Sequence, residues 1–160
     1  MADSVIKECR KALKGVHEGS ILWTVRRIQQ AERVFVVGNG GGAAHACHFA
    51  ADLRKIAKIQ AVSFDSVPEM TARVNDDGWE QAWQGWLRGF GASAFDMVFT
   101  FSVGGGLDGL SANLPKTPWG IVGQNGAYGS RIVIPSTSTP VIEGCQAVIA
   151  HDIVARLASC

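Results

Sequence analysis

What this 160-residue chain has little of narrows its chemistry. Charged residues make up only 18% and nearly cancel, to a net +1. With no lysine-rich tail or basic stripe, nothing attracts a polyanion, so a nucleic-acid partner is not expected. No apolar run approaches the roughly 20 residues needed to span a bilayer, so no membrane association is expected either. Met1-Ala2-Asp3-Ser4 carries no basic run followed by an apolar stretch, which argues against a secretory signal. The four cysteines, Cys9, Cys47, Cys145 and Cys160, are scattered and form no C-x-x-C pair. Together these absences predict a soluble protein of the reducing cytoplasm. Repeats, linkers and low-complexity tracts are also missing. The 47% hydrophobic content therefore serves one globular domain over 1–160, long enough to bury a sizeable core.

Glycine is abundant, with 19 residues, several of them in two runs. Residues 4–14 and 19–32 have helical composition, and Ile21, Leu22, Val25 and Ile28 recur at helical spacing. Residues 33–37 form a short apolar run stopping at Gly38, the pattern of a strand buried on both faces. Gly38-Asn39-Gly40-Gly41-Gly42 follows, and helical character returns over 43–55. Strand, glycine loop and helix in that order open a doubly wound α/β unit.

Further strands are predicted over 59–64, 96–102, 119–123 and 131–134, and helices over 78–90 and 140–158. Ser66-Val67-Pro68-Glu69 suits a helix start, and Ser136 to Thr139 offers capping hydroxyls before the last helix. Trp79, Trp83 and Trp86 make an aromatic stripe suited to core or subunit-interface packing. The expected fold is α/β, with a doubly wound, mostly parallel five-stranded sheet flanked by helices.

Both glycine runs follow a predicted buried strand, where open α/β sheets place their ligand crevice. Backbone N–H groups there, with the following helix N-terminus, suit a phosphate. A tight turn is the plainer use of the same glycines. A dinucleotide fingerprint is only half met, because Ala43 stands where a third glycine belongs, although Asp65 could be its acidic residue.

Four segments, in order, carry a family resemblance. Val37 to Ala44 with His48-Phe49-Ala50-Ala51-Asp52-Leu53 resembles the GNGGSA…HFAxEL signature of phosphoheptose isomerases and their sugar isomerase (SIS) domain relatives. Val74-Asn75-Asp76 is similar to the family's VxND segment. Phe101 to Leu107 stands where the family has I-S-T-S-G-N-S. Pro135 to Pro140, with Ile142-Glu143 and later His151, resembles the lead into the family's last helix. The resemblance implies an aldose–ketose isomerase acting on sedoheptulose 7-phosphate or a close relative. It also implies a homo-oligomer, a tetramer rather than a dimer, using the N-terminal helices, with active sites between subunits. The chain is shorter than the family between residues 107 and 131, so the helix after the second loop is expected to be trimmed.

By the same resemblance a zinc or other divalent ion is held by His48, Asp52, Glu143 and His151. His48 and Asp52 are four apart on one helix face, and Glu143 and His151 are eight apart, about two turns. Asp52 is implied as the carboxylate base and His151 as its acid/base partner, while the metal polarises the carbonyl. Asn39, Gly40, Gly41, Gly42, Asp76, Ser102, Val103 and Gly104 are implied as substrate or phosphate contacts. His45 could substitute as a ligand. His17 has no motif, and Cys47 and Cys145 read as small core residues.

The chain also departs from the pattern. Asp52 replaces a Glu, Glu143 a Gln and Val141 an Arg, and Gly42, Val103, Gly104 and Leu107 replace hydroxyl residues. Each lost neutral hydrogen bond weakens phosphate binding by roughly 0.5–1.5 kcal/mol, unless Ser136 to Thr139 compensate. The competing expectation is therefore a catalytically silent SIS module that binds a phosphosugar or a protein partner.

Overall fold

The computed structural model describes residues 4–104, 119–124 and 131–159. Eleven elements occur in the order α1 (Val5–Lys14), α2 (Glu18–Gln30), β1 (Val34–Gly38), α3 (Gly41–Lys55), β2 (Ala61–Ser63), α4 (Val67–Asp77), α5 (Trp79–Gly89), β3 (Met97–Phe101), β4 (Trp119–Gly123), β5 (Arg131–Ile134) and α6 (Thr139–Ala158). The five strands make one sheet in the order β2-β1-β3-β4-β5. Every pairing in it is parallel. The order reverses direction between β1 and β3, the topological switch point where such sheets open a crevice. The expected architecture is present, and the sheet is parallel throughout rather than mostly so.

Alternation along the strands assigns the two faces. Val34, Val36, Met97, Phe99 and Phe101 share a core with Ile28 of α2, Phe49 and Leu53 of α3, and Ile149 and Ile153 of α6. Phe35 and Val37 face the other way, into a second core with Phe64, Trp83, Trp86 and Leu87. Each such side chain, fully buried, contributes about 1.5–3 kcal/mol of transfer free energy. The tryptophan stripe divides accordingly: Trp83 and Trp86 are core, whereas Trp79 is 49% exposed.

Two local differences from the sequence expectation affect the site. Helix α3 begins at Gly41, not residue 43, so Gly41 and Gly42 form its first turn. Ser138 is the N-cap of α6, but its side chain makes no capping bond. Its backbone N–H instead receives Ser136 Oγ at 3.1 Å. Leu107 and the expected trimmed helix between 107 and 131 lie outside the described residues, apart from β4. Among the described residues no helix is long and apolar enough to cross a membrane.

Candidate active site

Helix α3 presents two faces because its residues repeat at helical spacing. Ala46, Phe49, Ala50 and Leu53 are buried against the sheet, and His48 and Asp52 stand on the rim. Helix α6 packs beside α3, burying Ile142, Cys145, Gln146, Ile149 and Ile153 and leaving His151 at its own rim. That packing brings together residues nearly a hundred positions apart. His48 Nε2 lies 3.2 Å from Asp52 Oδ2, and His151 Nδ1 lies 3.6 Å from the same oxygen. The two imidazoles meet edge to face with centroids 5.1 Å apart. The Asp52 side chain is 14% exposed, against 61% for His48 and 59% for His151, so the carboxylate sits partly desolvated beneath two accessible rings.

The donor set fits a divalent metal. Two imidazole nitrogens and a carboxylate oxygen lie within 4.8 Å of one another. Ligands on a tetrahedral zinc, with bonds near 2.0–2.1 Å, stand about 3.4 Å apart, close to both measured separations. Three protein ligands with a fourth position open is the pattern of catalytic rather than structural zinc.

Of the expected four ligands, Glu143 stands apart. Its carboxylate lies over Gly41, where an alanine Cβ would be 2.5 Å from Oε1 and 2.7 Å from Oε2. His45, the expected substitute, is half-buried with its ring 6.0 Å from that of Phe101. Asp76 is exposed in the last turn of α4 and accepts a 2.9 Å hydrogen bond from Asn75 Nδ2. Helix α4 packs on α5, on the second-core face of the sheet, so within one chain Asp76 is not brought to the histidines.

The first glycine loop is tightly built. Gly40 has φ +54°, a conformation glycine adopts without steric cost. A Cβ on Gly38 would collide with the backbone of Gly42, and one on Gly42 would stand 2.6 Å from the Phe101 carbonyl oxygen. The N–H groups of Gly42 and Ala43 donate within the loop, to the carbonyls of Asn39 and Gly40 at 2.9 and 3.0 Å. Asn39 Oδ1 is buried without a partner. The second loop begins at the end of β3. Ser102 N–H donates to Ile121 O at 3.2 Å, Gly123 N–H donates to Val103 O at 3.1 Å, and Gly104 is exposed. Gly105, Gly106 and Leu107 lie outside the described residues.

Gln146 escaped the sequence reading. It is wholly buried, and its Nε2 donates to Ser102 O and Ile121 O, both at 3.0 Å, tying α6 to the ends of β3 and β4. The available signal was a lone amide on the apolar stripe of α6.

No family model matches the chain. A phosphoheptose isomerase of Bradyrhizobium sp. strain BTAi1 is 30% identical over 146 residues, covering 81% of this chain and 73% of the relative. One from Helicobacter pylori strain 26695 is 24% identical over 178 positions, covering 94% and 93%. The solved structure of a phosphoheptose isomerase from Francisella tularensis superposes with a TM-score of 0.81 at 18% identity, covering 98% of this chain and 93% of that one.

Proposed function

The chain belongs to the phosphoheptose isomerase family, and on that premise we propose that it interconverts the aldose and ketose forms of a sugar phosphate, with sedoheptulose 7-phosphate the first substrate to test. The observation that carries the reading is the convergence of His48, Asp52 and His151 from two helices onto one carboxylate oxygen. Isomerisation moves a proton between adjacent carbons through an enediol, and so needs a base at carbon and an acid at oxygen. Both imidazoles address Asp52 Oδ2, which leaves Oδ1 to take the proton from the carbon beside the carbonyl. His151, accessible and fixed next to that carboxylate, gives a proton to the carbonyl oxygen and receives one from the neighbouring hydroxyl. A divalent ion held by His48, Asp52 and His151 would supply polarisation of that carbonyl. Subunit contacts are assigned to α1 and α2, where Ile6, Leu22 and Trp23 are exposed.

The test is turnover of sedoheptulose 7-phosphate by the protein as purified, after chelation, and after zinc add-back. Loss on chelation with recovery on add-back supports both the reaction and the metal. The absence of side-chain donors at Gly42 favours one second reading, a phosphosugar-binding module without turnover. No turnover and no bound metal would establish that reading instead.

A further inference from the structure

The Glu143 carboxylate, expected beside the histidines, instead occupies the amino end of α3. It contacts Gly41, the first residue of that helix, and only a residue without a side chain leaves it room there. Helix α3 has 15 residues, no acidic residue in its first turn, and an N-cap, Gly40, that makes no side-chain bond. Its positive end is thus met by a charge from another helix, at the place an external anion would take. The rest of the loop has the same bias. The Gly42 and Ala43 N–H groups are already bonded internally, and Asn39 offers an unpartnered buried acceptor rather than a donor. Position 42 has no space for a hydroxyl side chain, because the β3 backbone is too close. Acceptors without free donors call for a ligand that donates hydrogen bonds.

We propose that Glu143 is a specificity-determining residue: its carboxylate takes the anion's place over α3, so the first glycine loop receives an uncharged, hydroxyl-bearing end of the sugar and excludes its phosphate. The proposal deepens the isomerase reading and rests on it for the identity of the ligand as a sugar. The phosphate is then left to the second loop and to the Ser136–Thr139 hydroxyls.

Binding of inorganic phosphate to the metal-free protein, followed by calorimetric titration, tests this directly. Glu143→Gln keeps the shape and removes the charge, and should tighten phosphate binding about tenfold or more, as expected for deleting a unit charge in contact with the site. Glu143→Asp keeps the charge and should bind phosphate as weakly as wild type. Equal affinity in wild type and Glu143→Gln, or an equal gain in Glu143→Asp, would overturn the assignment. Thermal midpoints of all three proteins establish that they are folded. Isomerase turnover is measured separately: absent turnover with a phosphate gain in Glu143→Gln would sink the enzyme reading and leave the charge assignment standing. Turnover with no such gain would do the reverse.

Discussion

At Gly42 packing and catalysis meet, and one methyl group distinguishes a loop built against the sheet from a loop that merely happens to lack a hydroxyl. A Cβ there would be 2.6 Å from the Phe101 carbonyl oxygen and 3.3 Å from Phe101 C and Cβ. Ordinary contact begins at about 3.5 Å, so the start of α3 would have to retreat by nearly an ångström. The opposing atom is backbone in a central strand, hydrogen-bonded on both sides, and cannot rotate away. Overpacking of this kind costs about 1–3 kcal/mol. In a chain of this size each kcal/mol lowers the melting temperature by about 2–4 °C, so Gly42→Ala and Gly42→Ser should both melt about 4–8 °C below wild type. Helix α3 also carries His48 and Asp52, whereas His151 is on α6. Misplacing such groups by about 1 Å can cost a hundredfold in rate, so turnover should fall with stability and the serine hydroxyl should not rescue it. Calorimetry and steady-state turnover on both variants are the assays. A melting temperature within about 1 °C of wild type would refute the packing argument. So would a serine variant faster than wild type.

Asp52→Asn removes the base while keeping shape, and kcat should fall by about 10²–10⁴ with little change in melting temperature; near-normal kcat would exclude Asp52 as the base. Arg33 Nε and Nη2 hold the Asp96 carboxylate at 2.9 and 2.8 Å, with the Asp96 side chain almost wholly buried. Burial alone would push that carboxyl up, but the Arg33 guanidinium and the Ser93 N–H hold it below the usual carboxylate range. The pair therefore stabilises the fold fully above the ordinary aspartate value of about 3.9, and that contribution fades as pH falls through the lower folded value. Arg33→Ala strands the carboxylate at a cost of about 3 kcal/mol or more. Denaturant melts from neutral to acid pH should show the gap between the two proteins narrowing on acidification; a constant gap would contradict the linkage. Burial, then the neighbouring Cys9, pushes the Cys145 thiol up to about 12. Iodoacetamide at mildly alkaline pH should therefore leave Cys145 unlabelled until the protein unfolds, and rapid native labelling would overturn this.

The strands were legible because β1, β3 and β4 are short apolar runs ending at glycine or serine, and a parallel sheet buries both of their faces. Helix α4 was legible only at its start, where the Ser66 hydroxyl receives the Glu69 N–H at 3.3 Å. It has no buried residue, so no apolar stripe announced its length. His48 and Asp52 came from a local repeat, and His151 from its place in a motif. Glu143 did not follow, for a geometric reason. Residues eight apart share a face of a helix but stand about 12 Å apart along its axis, and side chains lean toward the N-terminus. Glu143 therefore leans away from His151 and reaches the loop. The closeness of Gly42 to β3 is a tertiary contact that no local pattern encodes.

Helices α3 and α6 each follow a strand of the same parallel sheet and pack on the same face, so they run in the same direction. Contacts between them therefore come in levels. Glu143 meets Gly41 at the amino ends, and His151 meets His48 and Asp52 two turns further on. Each level holds one carboxylate. The lower one is flanked by two imidazoles, which can share a metal or a proton with it; the upper one faces a helix end and a loop whose donors are already bonded. A substrate spanning both levels must carry its carbonyl at the lower and hydroxyl donors at the upper. Its anionic end must then project away from α3, toward the ends of β3 and β5. Orientation in this crevice is accordingly set by where negative charge is already present, and a change of charge at position 143 alters it without any change of fold.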